Sequence, residues 1–103
     1  MSGRQVTFSC RTHVADGKSI LAVCDEVLLG KTVRFGEVDF DISESFYGGN
    51  RSDQKQILEK VRQADMVNVV GREIVDLLVS EQEVDRECVL WMGDVPHVQI
   101  IRI

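Results

Sequence analysis

His97 is the residue of this sequence best suited to chemistry, because an imidazole can act as a general base, a metal ligand or a hydrogen-bonding group near neutral pH. It follows Pro96, the chain's only proline, in the segment of residues 92–100. Proline fixes its own φ and restricts the residue before it, so this segment is pre-shaped. His97 and Gln99 lie two apart on a predicted strand and therefore project from one face. The favoured alternative is a structural histidine that hydrogen-bonds to a nearby carbonyl.

Three carboxylates, Glu37, Asp39 and Asp41, alternate along another predicted strand. Together with His97 or His13 they could bind a divalent ion through oxygen and nitrogen ligands. A solvated strand face whose charges discourage edge pairing is the favoured interpretation. No Ser or Cys nucleophile is marked by an orienting carboxylate. We therefore assign no catalytic residue, no metal ligand and no cofactor.

A second candidate site is the glycine-rich loop of residues 46–51, which precedes a predicted helix. Backbone N–H groups at a helix N-terminus can hold an anion, but Asp53 would occupy the same positive end. The spacing is not that of a phosphate-binding or dinucleotide-binding loop, so packing of the aromatic pair on the core is favoured. Across the whole chain, the candidate binding residues are Phe46, Tyr47, Gly48, Gly49, Asn68, Gly71, Pro96, His97 and Gln99.

The charge balance, 12 basic against 17 acidic residues, gives a net charge of -5. Sequence-independent binding to nucleic acid needs several basic side chains set against phosphates, so direct binding is not expected. A single basic stripe, formed by Arg51, Lys55 and Arg62, follows the first predicted helix. Glu59 lies between these residues, so the stripe could consist of intrahelical ion pairs.

The compartment predicted from the sequence is the cytoplasm. The chain has no apolar run long enough for a membrane helix and no secretory h-region. Its three cysteines, Cys10, Cys24 and Cys88, are far apart, and each lies within an apolar run. Buried thiols in a reducing compartment are therefore expected, rather than zinc ligands.

The first 43 residues predict strands. Alternation over residues 6–11 and an apolar run over residues 20–24 predict a hairpin with a loop of about five residues around Asp16-Gly17. Asp25 is expected to cap a short helical turn. Residues 37–43 are predicted as a third strand, and the residues expected to face the core are Val38, Phe40 and Ile42.

The middle of the chain predicts two helices. A helix over residues 53–65 begins with the capping-box pair Asp53 and Gln56. Residues 66–70 are ambiguous, and we favour a short extended link followed by a helix over residues 69–80. Gly71 in the first turn of this helix would allow another backbone to come close.

Two further strands close the chain, over residues 88–92 and 97–103, with a tight Gly-Asp connection between them. Trp91 within a strand is typical of a core or of a subunit interface, and an exposed Trp91 would favour a binding surface. The order β-β-β, α-α, β-β predicts an α+β single domain over residues 1–103. Its architecture is a two-layer sandwich, with a mostly antiparallel sheet and two main helices on one face.

Several segments resemble a small archaeal family known as domain of unknown function 424. They are residues 28–31, 46–49, 68–71 and 95–99, and their order fits almost the whole chain. The resemblance implies an archaeal source and a compact two-layer fold. It implies no activity, cofactor or catalytic residue, and genes of this kind often lie among information-processing genes.

Three functional hypotheses follow from the sequence. The favoured one is a non-enzymatic module that binds a protein or ribonucleoprotein partner, with Tyr47, Gly49, Pro96 and His97 lining one concave patch. The second is a small enzyme, which requires a carboxylate or thiol within hydrogen-bond reach of His97. The third is RNA binding linked to translation. Homodimerisation through an open sheet edge could accompany any of these.

Overall fold

The protein is described here by a computed structural model, and the structure describes residues 5–102. A six-stranded sheet has the order β5-β1-β2-β6-β8-β7, and β3 and β4 form a separate two-stranded sheet. The strands are β1 Thr7–Ala15, β2 Lys18–Asp25, β3 Thr32–Phe35, β4 Val38–Asp41, β5 Asn50–Asp53, β6 Met66–Val70, β7 Leu90–Met92 and β8 Val95–Ile101. The helices are α1 Glu44–Tyr47, α2 Gln54–Gln63 and α3 Arg72–Ser80.

The predicted α+β class is confirmed, because the large sheet is mostly antiparallel and both long helices contribute to one core cluster. Among the strand pairs of residues 5–102, only β2 and β6 are parallel. The first cluster lies between this face of the sheet and the helices; its largest buried members are Phe8, Leu21, Ile57, Val61, Val67, Val69, Ile74 and Leu78. Within the described residues, no helix is long and apolar enough to cross a membrane.

The hairpin β1–β2 is confirmed, but its loop is shorter than predicted. Ala15 pairs with Lys18, so only Asp16 and Gly17 form the turn. Both have positive φ, 52° and 75°, which is the backbone of a tight hairpin turn. The long β1 then reaches far enough to pair also with β5.

A second core cluster covers part of the other face of the sheet. Its buried members are Ala22, Cys24, Ile42, Tyr47, Val70 and Met92, from the large sheet, from α1 and from the residue after β4. The predicted third strand therefore belongs to a separate β3–β4 ribbon rather than to the large sheet. Val38 is 65% exposed, so the prediction that it faces the core is wrong.

The capping box predicted at the start of α2 is confirmed. The Asp53 carboxylate accepts the Gln56 N–H at 2.8 Å, and the Gln56 side chain accepts the Asp53 N–H at 3.0 Å. This capping box was readable because it involves neighbours in sequence. The prediction of a loop before α2 is wrong in part, since this segment contains α1 and most of β5.

The link predicted over residues 66–70 is an interior strand, β6, and α3 starts at Arg72 rather than at residue 69. Asp25 reaches this start from the end of β2. Its two carboxylate oxygens accept the N–H groups of Glu73 at 3.0 Å and Ile74 at 2.9 Å. Asp25 therefore caps α3, whereas its side chain makes no capping bond to the short turn that follows it.

Pro96 lies within β8, so the prediction that the last strand begins at His97 is wrong. The Pro96 carbonyl accepts the Gly71 N–H at 3.0 Å, so this carbonyl points toward the β6 side of the strand. The Gly71 carbonyl in turn accepts the Val75 N–H at 3.1 Å. A proline fits here because Gly71, the residue opposite it, directs its carbonyl into the first turn of α3 and therefore needs no N–H from β8.

Candidate functional site

The face of the large sheet away from α2 and α3 brings together several of the predicted binding residues. Asn68 and Gln99 are paired across β6 and β8, and His97 follows on the same face of β8. Part of this face is left uncovered by the second core cluster, and we call it the open face. We define the open face by the residues His13, Ile20, Met66, Asn68, Gln99 and Ile101.

Two rows of side chains cross the open face from strand to strand. In one row, His13 pairs with Ile20, Ile20 with Met66, and Met66 with Ile101. Ile101 is 61% exposed, and the other three are partly exposed. The Gln99 amide donates to the Asn68 side-chain oxygen at 2.9 Å in the next row. The surface is therefore apolar with an amide pair beside it. Arg11 lies at the far end of the amide row, where its side chain donates to the Gly48 carbonyl.

Phe46 borders the open face through the ring of His13. The two rings stack with centroids 4.7 Å apart and an interplanar angle of 19°. The His13 Nε2 atom also lies 2.9 Å from the Phe46 carbonyl oxygen. This double contact fixes the edge of the surface.

Tyr47 and Gly48 are buried and do not line the open face; they hold α1 against the sheet. Tyr47 is 3% exposed, and burial raises the pKa of its phenol to about 12. The Tyr47 carbonyl accepts the Ser9 hydroxyl at 2.8 Å, and the Gly48 carbonyl accepts from Arg11 Nε at 2.6 Å. Both residues therefore tie α1 to β1.

Alternate residues of β1 position α1, and the sequence prediction missed them. Ser9, Arg11 and His13 bond to the carbonyls of Tyr47, Gly48 and Phe46 respectively. Alternation over residues 6–11 placed Ser9 and Arg11 on the face away from the core, and His13 was assigned to the hairpin loop, so α1 was not expected there. Ser9 is in fact 3% exposed, because α1 covers it.

Gly49 is exposed and has φ +107°, a conformation that favours glycine. A Cβ at this position would lie 2.8 Å from Arg11 Nη2. Gly49 therefore lets the Arg11 side chain pass close to the backbone where it binds Gly48.

The His97 ring makes no hydrogen bond or ion pair within residues 5–102, and it lies 6.0 Å from the Phe40 ring in a tilted contact. Burial lowers its pKa, which favours the neutral imidazole. The enzyme hypothesis requires a carboxylate or thiol hydrogen-bonded to this ring, and the described residues supply none. His97 thus forms an apolar border between the β3–β4 ribbon and the open face.

Gly71 and Pro96 lie together but away from the open face. Pro96 alternates with His97 and points to the side of the sheet that carries the helices. It lines a cavity of about 220 Å³ with Asp25 and Arg72, and this cavity includes neither Tyr47, Gly49 nor His97. The four residues expected to line one concave patch are therefore distributed over different parts of the fold.

Two of the three candidate carboxylates of residues 37–41 bond to neighbours on the β3–β4 ribbon. Asp39 lies 3.5 Å from Arg34, and Asp41 accepts the Thr32 hydroxyl at 2.7 Å. Among the residues described, no group of three His, Cys, Asp or Glu side chains could hold a metal ion.

The basic stripe is neutralised in the same way. Arg51 binds both carboxylate oxygens of Glu26, at 2.7 and 2.9 Å, and Arg62 binds Glu83 at 2.7 Å. These acidic partners lie outside α2, so the pairs are not the intrahelical ones considered from the sequence. Two of the three basic residues are thus already paired with carboxylates.

Two of the three cysteines are buried. Cys10 and Cys24 are buried, and burial raises the pKa of Cys24 to about 12, so its thiol stays protonated. Cys88 is exposed, which corrects the prediction that all three thiols are buried.

Comparisons with known proteins agree with this architecture. A family model described as "Protein of unknown function (DUF424)" matches residues 12–103. The fold is similar to the crystal structure of an uncharacterized conserved protein from Methanopyrus kandleri, with a TM-score of 0.76 and 27% sequence identity. The match covers 91% of this chain and 90% of that one. No curated protein shows significant sequence similarity to the chain.

Proposed function

The chain belongs to the DUF424 family of proteins of unknown function, and we propose that it is an archaeal, cytoplasmic binding module without enzymatic activity. Its open face docks a protein partner, either a free protein or the protein part of a ribonucleoprotein. Catalytic residues, cofactors and metal ions have no role in this proposal.

One observation carries the proposal: Asn68, His97 and Gln99, chosen from the sequence, lie on the same face of the sheet, and Phe46 borders it through His13. A sheet face that neither long helix covers, and that keeps Ile101 61% exposed, presents apolar area to solvent. Such surfaces are typical of interaction sites when they are rimmed by polar groups.

A protein fits this surface better than a nucleic acid does. The six residues that define the open face include no lysine or arginine, and Arg11, which lies in the row of Asn68 and Gln99, is bonded to the Gly48 carbonyl. Two of the three residues of the basic stripe are paired with carboxylates, Arg51 with Glu26 and Arg62 with Glu83. Phosphate contacts supply most of the affinity for nucleic acids, so a neutral face lacks that contribution. An apolar patch with one amide pair is instead able to exclude water against another protein.

The experiment is affinity capture from the native cell extract, with and without nuclease. A double variant, Gln99→Lys with Ile101→Lys, places two charges on the open face without touching a fully buried side chain. Captured partner should fall by about tenfold or more, since burying unpaired charge in an interface costs more than about 1.4 kcal/mol. A substitution at Tyr47 would not serve, because the residue is buried and its loss would perturb folding.

The matched control is Val14→Lys, at a residue that is 75% exposed near the tip of the β1–β2 hairpin. It should retain the partner at the wild-type level. Partner lost after nuclease treatment would indicate a ribonucleoprotein held together by RNA, and partner kept would indicate a direct protein contact. Equal capture by the open-face variant and the wild type would refute the site.

A further inference from the structure

The largest exposed apolar side chains of the described residues are concentrated at one end of the fold. Seven are strongly exposed: Val14, Val27, Phe35, Val38, Leu90, Trp91 and Ile101. Four of these, Phe35, Val38, Leu90 and Trp91, belong to β7 and to the tip of the neighbouring β3–β4 ribbon. The ribbon packs beside β7, where a Cβ on Gly93 would lie 3.8 Å from the Arg34 carbonyl. Leu90 and Trp91 are consecutive in β7 and project from opposite faces of the sheet. Trp91 lies on the side of α3, where the Arg72 guanidinium is 5.4 Å from the centroid of its ring. This edge of the sheet therefore exposes apolar side chains on both faces.

β7 is also an edge strand of the large sheet: among the described strands it pairs with β8 alone, and β3 packs beside it without pairing. Pro96, which pairs with Trp91, has no N–H, and its carbonyl is bonded to Gly71 on the β6 side. Pro96 therefore exchanges no hydrogen bond with Trp91. In an antiparallel pair, such a position alternates with hydrogen-bonded ones, so the Trp91 N–H and C=O point away from β8, toward the open edge.

The opposite edge of the sheet is formed differently. β5 has the sequence Asn-Arg-Ser-Asp, in which Arg51 is paired with Glu26 and Asp53 is used by the α2 capping box. Charged side chains of this kind protect an edge from pairing with another strand. Residues 88–93, around β7, contain no charged side chain at all.

We propose that β7 is a dimerisation edge, on which a second copy of this chain pairs antiparallel about a two-fold axis through Trp91. The two Trp91 residues then exchange both of their free backbone hydrogen bonds, as a hydrogen-bonded antiparallel pair does. The axis is perpendicular to the sheet, so the two six-stranded sheets become continuous and both pairs of long helices lie on one face. A two-fold contact of this kind uses the same surface on both copies and closes without forming filaments.

Charge favours a second copy at the β7 edge over the β5 edge, which carries Arg51 and Asp53. Each chain has a net charge of -5, so two copies repel when acidic surfaces meet. The side chains of residues 88–93 that pairing brings together are uncharged, and the Arg72 guanidinium lies beside the contact, 5.4 Å from the centroid of the Trp91 ring. Pairing also covers Leu90 and Trp91, which are 66% and 47% exposed in the single chain. The open face lies elsewhere on the sheet and remains available to a different partner.

The test is the oligomeric state in solution, measured by sedimentation equilibrium over a range of concentrations. The wild type should form dimers reversibly. Trp91→Pro removes the outward N–H while leaving the bonds of Leu90 and Met92 to β8, and it should sediment as a monomer. Leu90→Lys should also shift the equilibrium toward the monomer, because charges on an edge oppose pairing. The matched control, Val27→Lys, replaces an apolar side chain that is 70% exposed and should leave the dimer intact.

Hydrogen exchange on the wild type keeps the proposal testable if an edge variant does not fold. Protection of the Trp91 amide should rise with protein concentration and fall on dilution, while the amide of Leu90, which faces β8, should not change. A wild-type chain that is monomeric at every concentration would overturn the proposal. So would a dimer that survives both edge substitutions with circular dichroism unchanged.

Discussion

Gly71 and Asp25 meet at the junction of β6 and α3, and their contact explains why a glycine occupies this position. Gly71 has φ +126°, and a Cβ there would lie 2.4 to 2.8 Å from the atoms of the Asp25 carboxyl group. The sequence prediction expected a close approach at Gly71, but of a backbone. It is a carboxylate that approaches, from a residue 46 positions earlier in the chain, and local spacing contains no information about such a contact.

We predict that Gly71→Ala lowers the free energy of unfolding by about 2–5 kcal/mol. Backbone strain costs about 1–3 kcal/mol, and displacing the Asp25 carboxylate costs a helix cap worth about 0.5–2 kcal/mol. The measurement is urea unfolding followed by circular dichroism.

The control for this prediction is Gly36→Ala. Gly36 also has positive φ, +64°, but nothing lies within 4 Å of a Cβ built on it. This variant should lose only the conformational part, about 1–2 kcal/mol. Equal losses at the two positions would contradict a role for the Asp25 contact.

At the scale of elements, predictions from neighbouring residues succeeded and those that depended on distant partners did not. The capping box of α2 involves Asp53 and Gln56 alone, and it was identified. β5 has no apolar pattern, and it is a strand because the long β1 offers it a partner. Residues 66–70 form a short apolar run, and periodicity cannot separate such a strand from the start of a helix. The pairing of β6 with β2 and β8 decides the outcome.

The same limit applies to the candidate site. His97 and Gln99 were correctly expected on one face, because alternation along a strand is local. Two outcomes depended on which elements lie side by side: Pro96 points to the other face of the sheet, and Tyr47 is buried in the second core cluster. The contacts of Ser9, Arg11 and His13 with α1 could not be inferred for the same reason.

The cap of α3 predicts a pH dependence. Burial raises the pKa of Asp25 above its ordinary value of 3.8, although the N–H groups of Glu73 and Ile74 oppose this shift. The folded state then binds the proton more tightly than the unfolded state does. The contribution of Asp25 to stability is therefore greatest below pH 3.8 and declines as the pH rises through the raised pKa.

Asp25→Asn removes this titration, and the free energy of unfolding should be measured for both proteins between about pH 3 and pH 7. The difference, wild type minus variant, should decrease with rising pH, because only the wild type carries the Asp25 carboxyl group whose pKa is raised. The neighbouring Glu73 and Asp76 are present in both proteins, so their effects largely cancel. A difference that instead increases with pH would mean that the two capping hydrogen bonds outweigh burial.

At the scale of the whole molecule, the two core clusters divide the fold into parts of unequal stability. The cluster under α2 and α3 includes the central strands β1, β2, β6 and β8. The second cluster is smaller and holds the β3–β4 ribbon, whose strand residues are mostly exposed. Regions with few buried apolar contacts open locally at lower free energy than the global unfolding. The backbone amides of the ribbon should therefore exchange with solvent faster than those of the central strands.

Ile42→Ala tests whether the ribbon opens as a separate unit. Ile42 is fully buried at the end of β4, and truncating a buried isoleucine costs about 2–5 kcal/mol. If the ribbon opens by itself, its amides should exchange at least about tenfold faster in the variant, since about 1.4 kcal/mol corresponds to a factor of ten. Amides of β1 and β2 that exchange only through global unfolding should also accelerate, but should remain much slower than those of the ribbon. The same exchange rate for ribbon and central strands, in both proteins, would show that the two clusters unfold together. Because β3 lies beside the β7 edge, local opening of the ribbon would expose more of that edge. The difference in exchange rate between the ribbon and the central strands therefore bears on how firmly a second copy can be held there.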